Sequence, residues 1–243
     1  MNKQSYRYEM IETKKGMFDN YIDMVYILAT DNKDHIINQI NTYKPHKNIL
    51  IQYIDKSNIS NKILSINEAY YNIFLNSLKN NYKNIIIFED DFTFDYNINQ
   101  LVVDDIGNFI KTNNYHIYHL GSLFHISIPS ISMHLKSYYI TSSHGVIYNR
   151  DYVYYYIKKY EAGFKHKNWK LWLNINIIKH TYYKPLCFQT LNKDKKIFGK
   201  IFELLNLNKN HNPGYKIFNI ISLIISFHLI YLFLNHKFLL GLK

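Results

Sequence analysis

The sequence predicts an α/β protein: a mainly parallel sheet covered by helices, followed by a C-terminal hydrophobic helix. Three observations point there. Short apolar runs at 24–29, 48–54 and 84–88 alternate with segments of helical period; the run 85–88 has no polar residue, as suits a strand buried on both faces; and residues 217–234 carry no charge. A chain of 243 residues and 29.3 kDa, 47% hydrophobic, buries a sizeable core, which excludes a fully disordered protein.

Met24-Val25-Tyr26-Ile27-Leu28-Ala29 reads as the first strand, closed by Thr30-Asp31-Asn32. Ile36, Ile37, Ile40 and Tyr43 then recur at helical spacing up to Pro45. A second strand is expected over 48–54. A long helix over 63–82 follows, with apolar residues at 66, 69, 70, 73, 74 and 78 on one face, and then a third strand over 84–88. Strands separated by helices imply right-handed crossovers and parallel pairing, and such sheets bind ligands at the carboxyl ends of their strands, near the switch in strand order. Further on, Tyr152-Val153-Tyr154-Tyr155-Tyr156 suggests either a sugar-stacking platform or a half-buried helix; Ile157 and Tyr160 at helical spacing favour the helix.

The C-terminal part reads differently. Residues 1–205 form the soluble domain, 206–215 a polar, turn-rich linker, and 216–243 a tail anchor. The uncharged run 217–234 reaches about 27 Å as a helix, close to a ~30 Å hydrocarbon core. A buried core helix is the alternative, and Asn219 and His228 interrupt the run. Lys193, Lys195, Lys196, Lys200, Lys209 and Lys216 crowd its N-terminal side, which by the positive-inside tendency keeps the domain on the cytoplasmic face. The N-terminus is polar and has no apolar signal stretch.

The net charge of +11 comes from lysine, with Arg7 and Arg150 the only arginines. The fork-shaped guanidinium used to read bases is nearly missing, and there is no Arg/Gly-rich or RNP-like segment, so nucleic acid is not an expected partner. The single cysteine, Cys187, cannot form an internal disulfide and reads as a small buried thiol. Twelve histidines include His116 with His119 and His125 with His134, but no spaced Cys/His set of a structural zinc site.

Glu89-Asp90-Asp91 stands where the third strand ends. In extended chain Glu89 and Asp91 project to one side and Asp90 to the other, so the first two can share a Mg²⁺ or Mn²⁺ ion carrying a diphosphate while Asp90 meets a sugar hydroxyl or supports a ligand. A solvated acidic turn is the alternative.

With Asn67-Glu68-Ala69, the helix that follows and Ile85-Ile86-Ile87-Phe88-Glu89-Asp90-Asp91, the chain resembles the family 25 glycosyltransferases and their giant-virus relatives. The likeness continues through Tyr118-His119-Leu120-Gly121, Ser143-His144-Gly145-Val146-Ile147-Tyr148-Asn149 and Lys184-Pro185-Leu186-Cys187-Phe188-Gln189, covering about 25–189. The resemblance implies the GT-A fold, an acidic triplet of the DXD type, and transfer of a hexose from a UDP-sugar to an unknown glycan, protein or lipid acceptor, with the protein itself at a host-cell membrane or virion. It further implies Mn²⁺ or Mg²⁺ between the diphosphate and Glu89 and Asp91, with His144 or His180 as a third ligand or substrate contact. Tyr26, Leu28 and Thr30 would face the uracil and ribose, or else be ordinary strand packing. Two departures stand out: the family's Arg after the first strand is replaced within Thr30-Asp31-Asn32-Lys33-Asp34-His35, and its Asp before the last strand is missing near Asn168 and Lys170. The missing carboxylate makes a catalytically inactive, membrane-attached binding or scaffold protein of the same fold the alternative.

Overall fold

The computed structural model describes residues 6–54, 62–122, 124–128, 132–141, 144–164, 177–189 and 212–241. The chain alternates β2 (Met24–Ala29), α1 (Lys33–Tyr43), β3 (Asn48–Ile54), α2 (Lys62–Lys79) and β4 (Asn84–Glu89), preceded by β1 (Tyr6–Glu12). After β4 come β5 (Phe92–Phe94), α3 (Gln100–Thr112), β6 (Ile117–His119), β7 (Phe124–Ile128), β8 (His134–Thr141), β9 (Gly145–Asn149), α4 (Arg150–Glu161), β10 (Lys179–Tyr182), β11 (Cys187–Gln189) and α5 (Asn212–Gly241). The nine-stranded sheet runs β1-β3-β2-β4-β9-β6-β10-β8-β7, and β11 pairs with β5 in a separate two-stranded sheet.

The two strand bounds 24–29 and 48–54 fall where the apolar runs place them, and the reason is visible in the packing. Val25, Ile27, Ala29, Ile86 and Phe88 enter one hydrophobic cluster with Ile36, Ile40, Val103 and Ile106 of α1 and α3. Met24, Tyr26, Leu28, Ile85 and Ile87 enter another with Tyr70, Ile73, Phe74, Tyr152 and Tyr156 of α2 and α4. Each central strand thus buries both of its alternating faces, which is why its sequence shows no polar/apolar alternation.

Parallel pairing holds for β3-β2-β4, as expected, and recurs between β6 and β10. The sheet as a whole is mixed, because β9 inserts antiparallel between β4 and β6, β1 joins β3 antiparallel, and the β7–β8 hairpin extends the far side. The long helix is α2, ending at Lys79 instead of 82: the chain turns at Asn81, whose φ of 62° is left-handed. The tyrosine run 152–156 is helical; Tyr152 and Tyr156 pack into the core while Tyr154 stays in solvent. Cys187 is fully buried and burial pushes its thiol up, so it is not a nucleophile.

α5 is one continuous helix that begins at Asn212, inside the stretch read as a linker, and lies against β7 at the sheet's edge. Its segment Ile217–Asn235 is long and apolar enough to cross a membrane.

Candidate functional site

Chain direction gathers the site at one edge of the sheet. β2 and β4 run parallel and end there, and the strand order reverses about β2, since β3 lies on its one side and β4 on the other. β9 runs antiparallel to β4 with Gly145 opposite Phe88, so His144, just before β9, arrives beside Glu89, just after Phe88. The ligand atoms of Glu89, Asp91 and His144 lie within 4.8 Å of one another. Among the described residues this is the one group of three or more such side chains able to hold a metal ion.

Each member is placed by packing around it. Asp91 lies in the turn between β4 and β5, and Gln189 Nε2, on β11, donates a hydrogen bond to its Oδ2. Asp91 Oδ1 is buried and accepts no hydrogen bond among the described residues. Burial raises the Asp91 carboxyl to about 6, with Glu89 and Asp90 adding to the rise against the lowering by Gln189. Two carboxylates and an imidazole, one buried carboxylate oxygen that accepts no hydrogen bond among the described residues, and the like charge of Glu89 and Asp90 beside Asp91 are together what a hard divalent cation would satisfy. The residues fit such an ion.

Glycine brings the scaffold close. A Cβ on Gly145 would lie 2.6 Å from Phe88 Cε1 and 3.1 Å from Cys187 Sγ, and one on Gly121 would lie 1.8 Å from Cys187 O. Only residues without a side chain let β9 and the segment after β6 approach β11 this closely, and β11 carries Gln189.

Asp90 stands in the turn after β4 and is held through one carboxylate oxygen. Its Oδ2 accepts hydrogen bonds from Thr30 N at 2.8 Å, Thr30 Oγ1 at 2.8 Å and Asp31 N at 3.2 Å. It therefore ties the ends of β2 and β4 together across the point where strand order reverses. Thr30 is thus at the site and exposed. Leu28 stands in register with Glu89, on the same face of the sheet and nearly buried. Tyr26 pairs with Ile87 one pleat further in, fully buried, and its hydroxyl donates to Asn76 Oδ1 on α2 at 2.6 Å. Of the strand residues expected to face a nucleoside, Tyr26 is a core residue.

His180 lies elsewhere, on β10 with its ring 4.8 Å from Phe109 of α3 and in register with Lys136 of β8. Burial, then Lys136 and His134, hold it down to about 4. The structure brings His144 to the carboxylates, and His180 is not in that group. Asn168 and Lys170 lie outside the described residues. The role of Gln189 was not read from the sequence; its position three residues after Leu186, in a strand that pairs with the residues just past the acidic triplet, is the signal that could have found it.

No protein-family model matches the chain, and no curated protein matches it.

Proposed function

We propose that the protein is a metal-dependent glycosyltransferase of the GT-A fold, similar to the family 25 enzymes, that transfers a hexose from a nucleotide sugar, UDP-linked by that resemblance, to a glycan, protein or lipid acceptor. The observation that carries this reading is the convergence of Glu89, Asp91 and His144 where β4 ends, beside the crevice in which α/β sheets of this order take nucleotides. Glu89, Asp91 and His144 would hold Mn²⁺ or Mg²⁺, and an imidazole beside two carboxylates favours Mn²⁺. When bound, the ion supplies Lewis-acid neutralisation of the charge that develops on a leaving diphosphate. Gln189 orients Asp91 and leaves its Oδ1 available, while Asp90, bonded to Thr30 and Asp31, fixes the loop at the crevice. The apolar helix attaches the protein to a membrane, with the site on the cytoplasmic side, at a host-cell membrane or a virion.

One sequence observation favours a second reading, a nucleotide-sugar-binding protein without turnover: Asn168 and Lys170 stand where the resemblance expects a carboxylate. The full chain in mild detergent, titrated with UDP, UDP-glucose and UDP-galactose with and without Mn²⁺ and followed by thermal shift, tests the site. Stabilisation that needs both UDP and metal supports it, at about 2.7 kcal/mol for ligand at a hundred times its dissociation constant. No shift with any of the three overturns it. Release of UDP from the donor with an acceptor glycan, lipid or protein extract separates the enzyme from the binder.

A further inference from the structure

The helix α5 has its polarity reversed. Among its described side chains the buried ones are Asn219, Ser222 and Ser226, all polar and all on one stripe at spacings of three and four. The apolar ones face outward: Ile220 is 56% exposed, Ile224 62%, Phe227 57% and Phe233 58%. A helix packed on a soluble domain buries its apolar stripe; this one buries its polar stripe and leaves a broad apolar face with mean hydropathy 2.3 over Ile217–Asn235.

The polar stripe is occupied in detail by the edge of the sheet. The backbone N–H of His125 donates to Ser222 Oγ at 3.2 Å and that of Ser127 to Ser226 Oγ at 3.0 Å. His125 Nε2 lies 2.6 Å from Asn219 Oδ1, and Asn219 Nδ2 donates to the carbonyl of Tyr183 at 2.6 Å. β7 is the terminal strand of the sheet, so these are the edge N–H groups that no neighbouring strand takes.

This docking and a membrane crossing exclude each other. Ser226 is at the middle of the apolar run, so a perpendicular helix would carry Ser127 to the centre of the hydrocarbon. Beside it would come Ile128 and its partner in register, the exposed Lys136, together with the rest of the β7–β8 hairpin. Charge and non-helical backbone are not accepted there. Helix and hairpin fit a bilayer together only if the axis of α5 lies along the surface, its outward face in the boundary between headgroups and acyl chains.

We infer that α5 is an in-plane membrane anchor, latched to β7 through Asn219, Ser222 and Ser226, so that both ends of the helix stay on the side of the membrane that holds the domain. The occupant of the apolar face is the lipid surface itself. The inference rests on the membrane attachment proposed above and is independent of sugar transfer.

The test uses the full chain synthesised in the presence of sealed vesicles of phosphatidylcholine and phosphatidylserine, with one added thiol reporter at a time: Lys243→Cys beyond the helix, or Asn114→Cys on the exposed surface of the domain. Cys187 is fully buried and stays silent. A membrane-impermeant maleimide is added outside. The expected result is flotation with the vesicles and labelling of both reporters to the same extent without detergent. Labelling of the position-243 reporter only after detergent, with position 114 labelled throughout, means that the helix spans and overturns the in-plane anchor while leaving attachment intact. Failure to float removes attachment and this inference with it, and marks the apolar face as one covered by protein. In the variant Asn219→Leu/Ser222→Leu/Ser226→Leu the latch is gone and the polar stripe has become apolar, so the position-243 reporter becomes protected; unchanged labelling there overturns the latch.

Discussion

Gly145→Ala tests how the core sets the site. Gly145, next to His144, faces Phe88, next to Glu89, across the β4–β9 pairing. The added Cβ lies 2.6 Å from the Phe88 ring, where ordinary contact starts at 3.4 Å, so the ring or the strand must retreat by about 0.8 Å. The ring has nowhere to go: it is fully buried, stacked on Phe92 at 4.5 Å and edge-on to Phe94 at 5.2 Å. Overpacking of this kind costs about 1–3 kcal/mol. At roughly 2–4 °C of Tm per kcal/mol for a chain of this size, Gly145→Ala melts about 2–12 °C lower. Strand β9 gives way more easily than the ring stack, so His144 moves with it, and a displacement of about 0.8 Å exceeds the roughly 0.5 Å that a ligand set tolerates. The Mn²⁺ concentration needed for thermal stabilisation therefore rises, by about tenfold as for loss of a supporting contact. Phe88→Leu in the same background relieves the contact and recovers part of both effects. An unchanged Tm refutes the packing argument; a lowered Tm with an unchanged Mn²⁺ response refutes its link to the site.

Asp91→Asn keeps the shape and the Gln189 contact but removes the charge, so the fold persists by circular dichroism while the Mn²⁺-dependent thermal shift disappears; a retained shift takes Asp91 out of the ligand set. Tyr26→Phe deletes the hydroxyl bonded to Asn76 and lowers stability in urea denaturation by about 1 kcal/mol, with the UDP response unchanged; a weakened UDP response would return Tyr26 to the donor pocket. Acid weakens the fold through His180. Its folded pKa of about 4 lies below the ordinary 6.5, so the unfolded chain binds the proton more readily and stability, complete above 6.5, is lost as pH falls towards 4. The upper bound is about 3 kcal/mol. Urea midpoints at pH 7 and pH 4.5 therefore differ by less in His180→Gln than in the natural chain, and an equal difference refutes the assignment.

The central β2-α1-β3-α2-β4 unit was legible because its strands are apolar on both faces and its helices on one, which are strong and distinct periods. The edge strands β1 and β7 and the outer strand β8 were not, since each is half exposed and takes its pairing from the neighbour. β5 and β11 are three residues long and exist through pairing with each other. Within the site, strand parity was the ground for pairing Glu89 with Asp91, whereas β4 ends at Glu89 and a turn carries Asp90 and Asp91; Tyr26 and Leu28 share one face of β2, and depth along the strand, not parity, separates the buried Tyr26 from Leu28 beside Glu89. His144 was reachable only through resemblance, because its distance to Glu89 is set by the antiparallel entry of β9, which local sequence does not encode. In α5 the polar residues looked like interruptions of an anchor; Asn219, Ser222 and Ser226 fall on one stripe, whereas His228 is exposed.

The latch also sets a schedule. His125 and Ser222 are 97 residues apart in sequence, so β7 leaves the ribosome long before the hydroxyls that cover it. At 5–20 residues per second that interval is about 5–20 s. During it the sheet has an open edge of the kind that pairs with any extended chain, including the same strand of a neighbouring nascent protein on one polysome. A chain stopped short of Ser222 remains in that condition permanently. Removing the helix to make the protein water-soluble would thus exchange a lipid-seeking surface for a strand-seeking one, and the cleaner route to a soluble form is to keep the stripe and replace the outward isoleucines and phenylalanines.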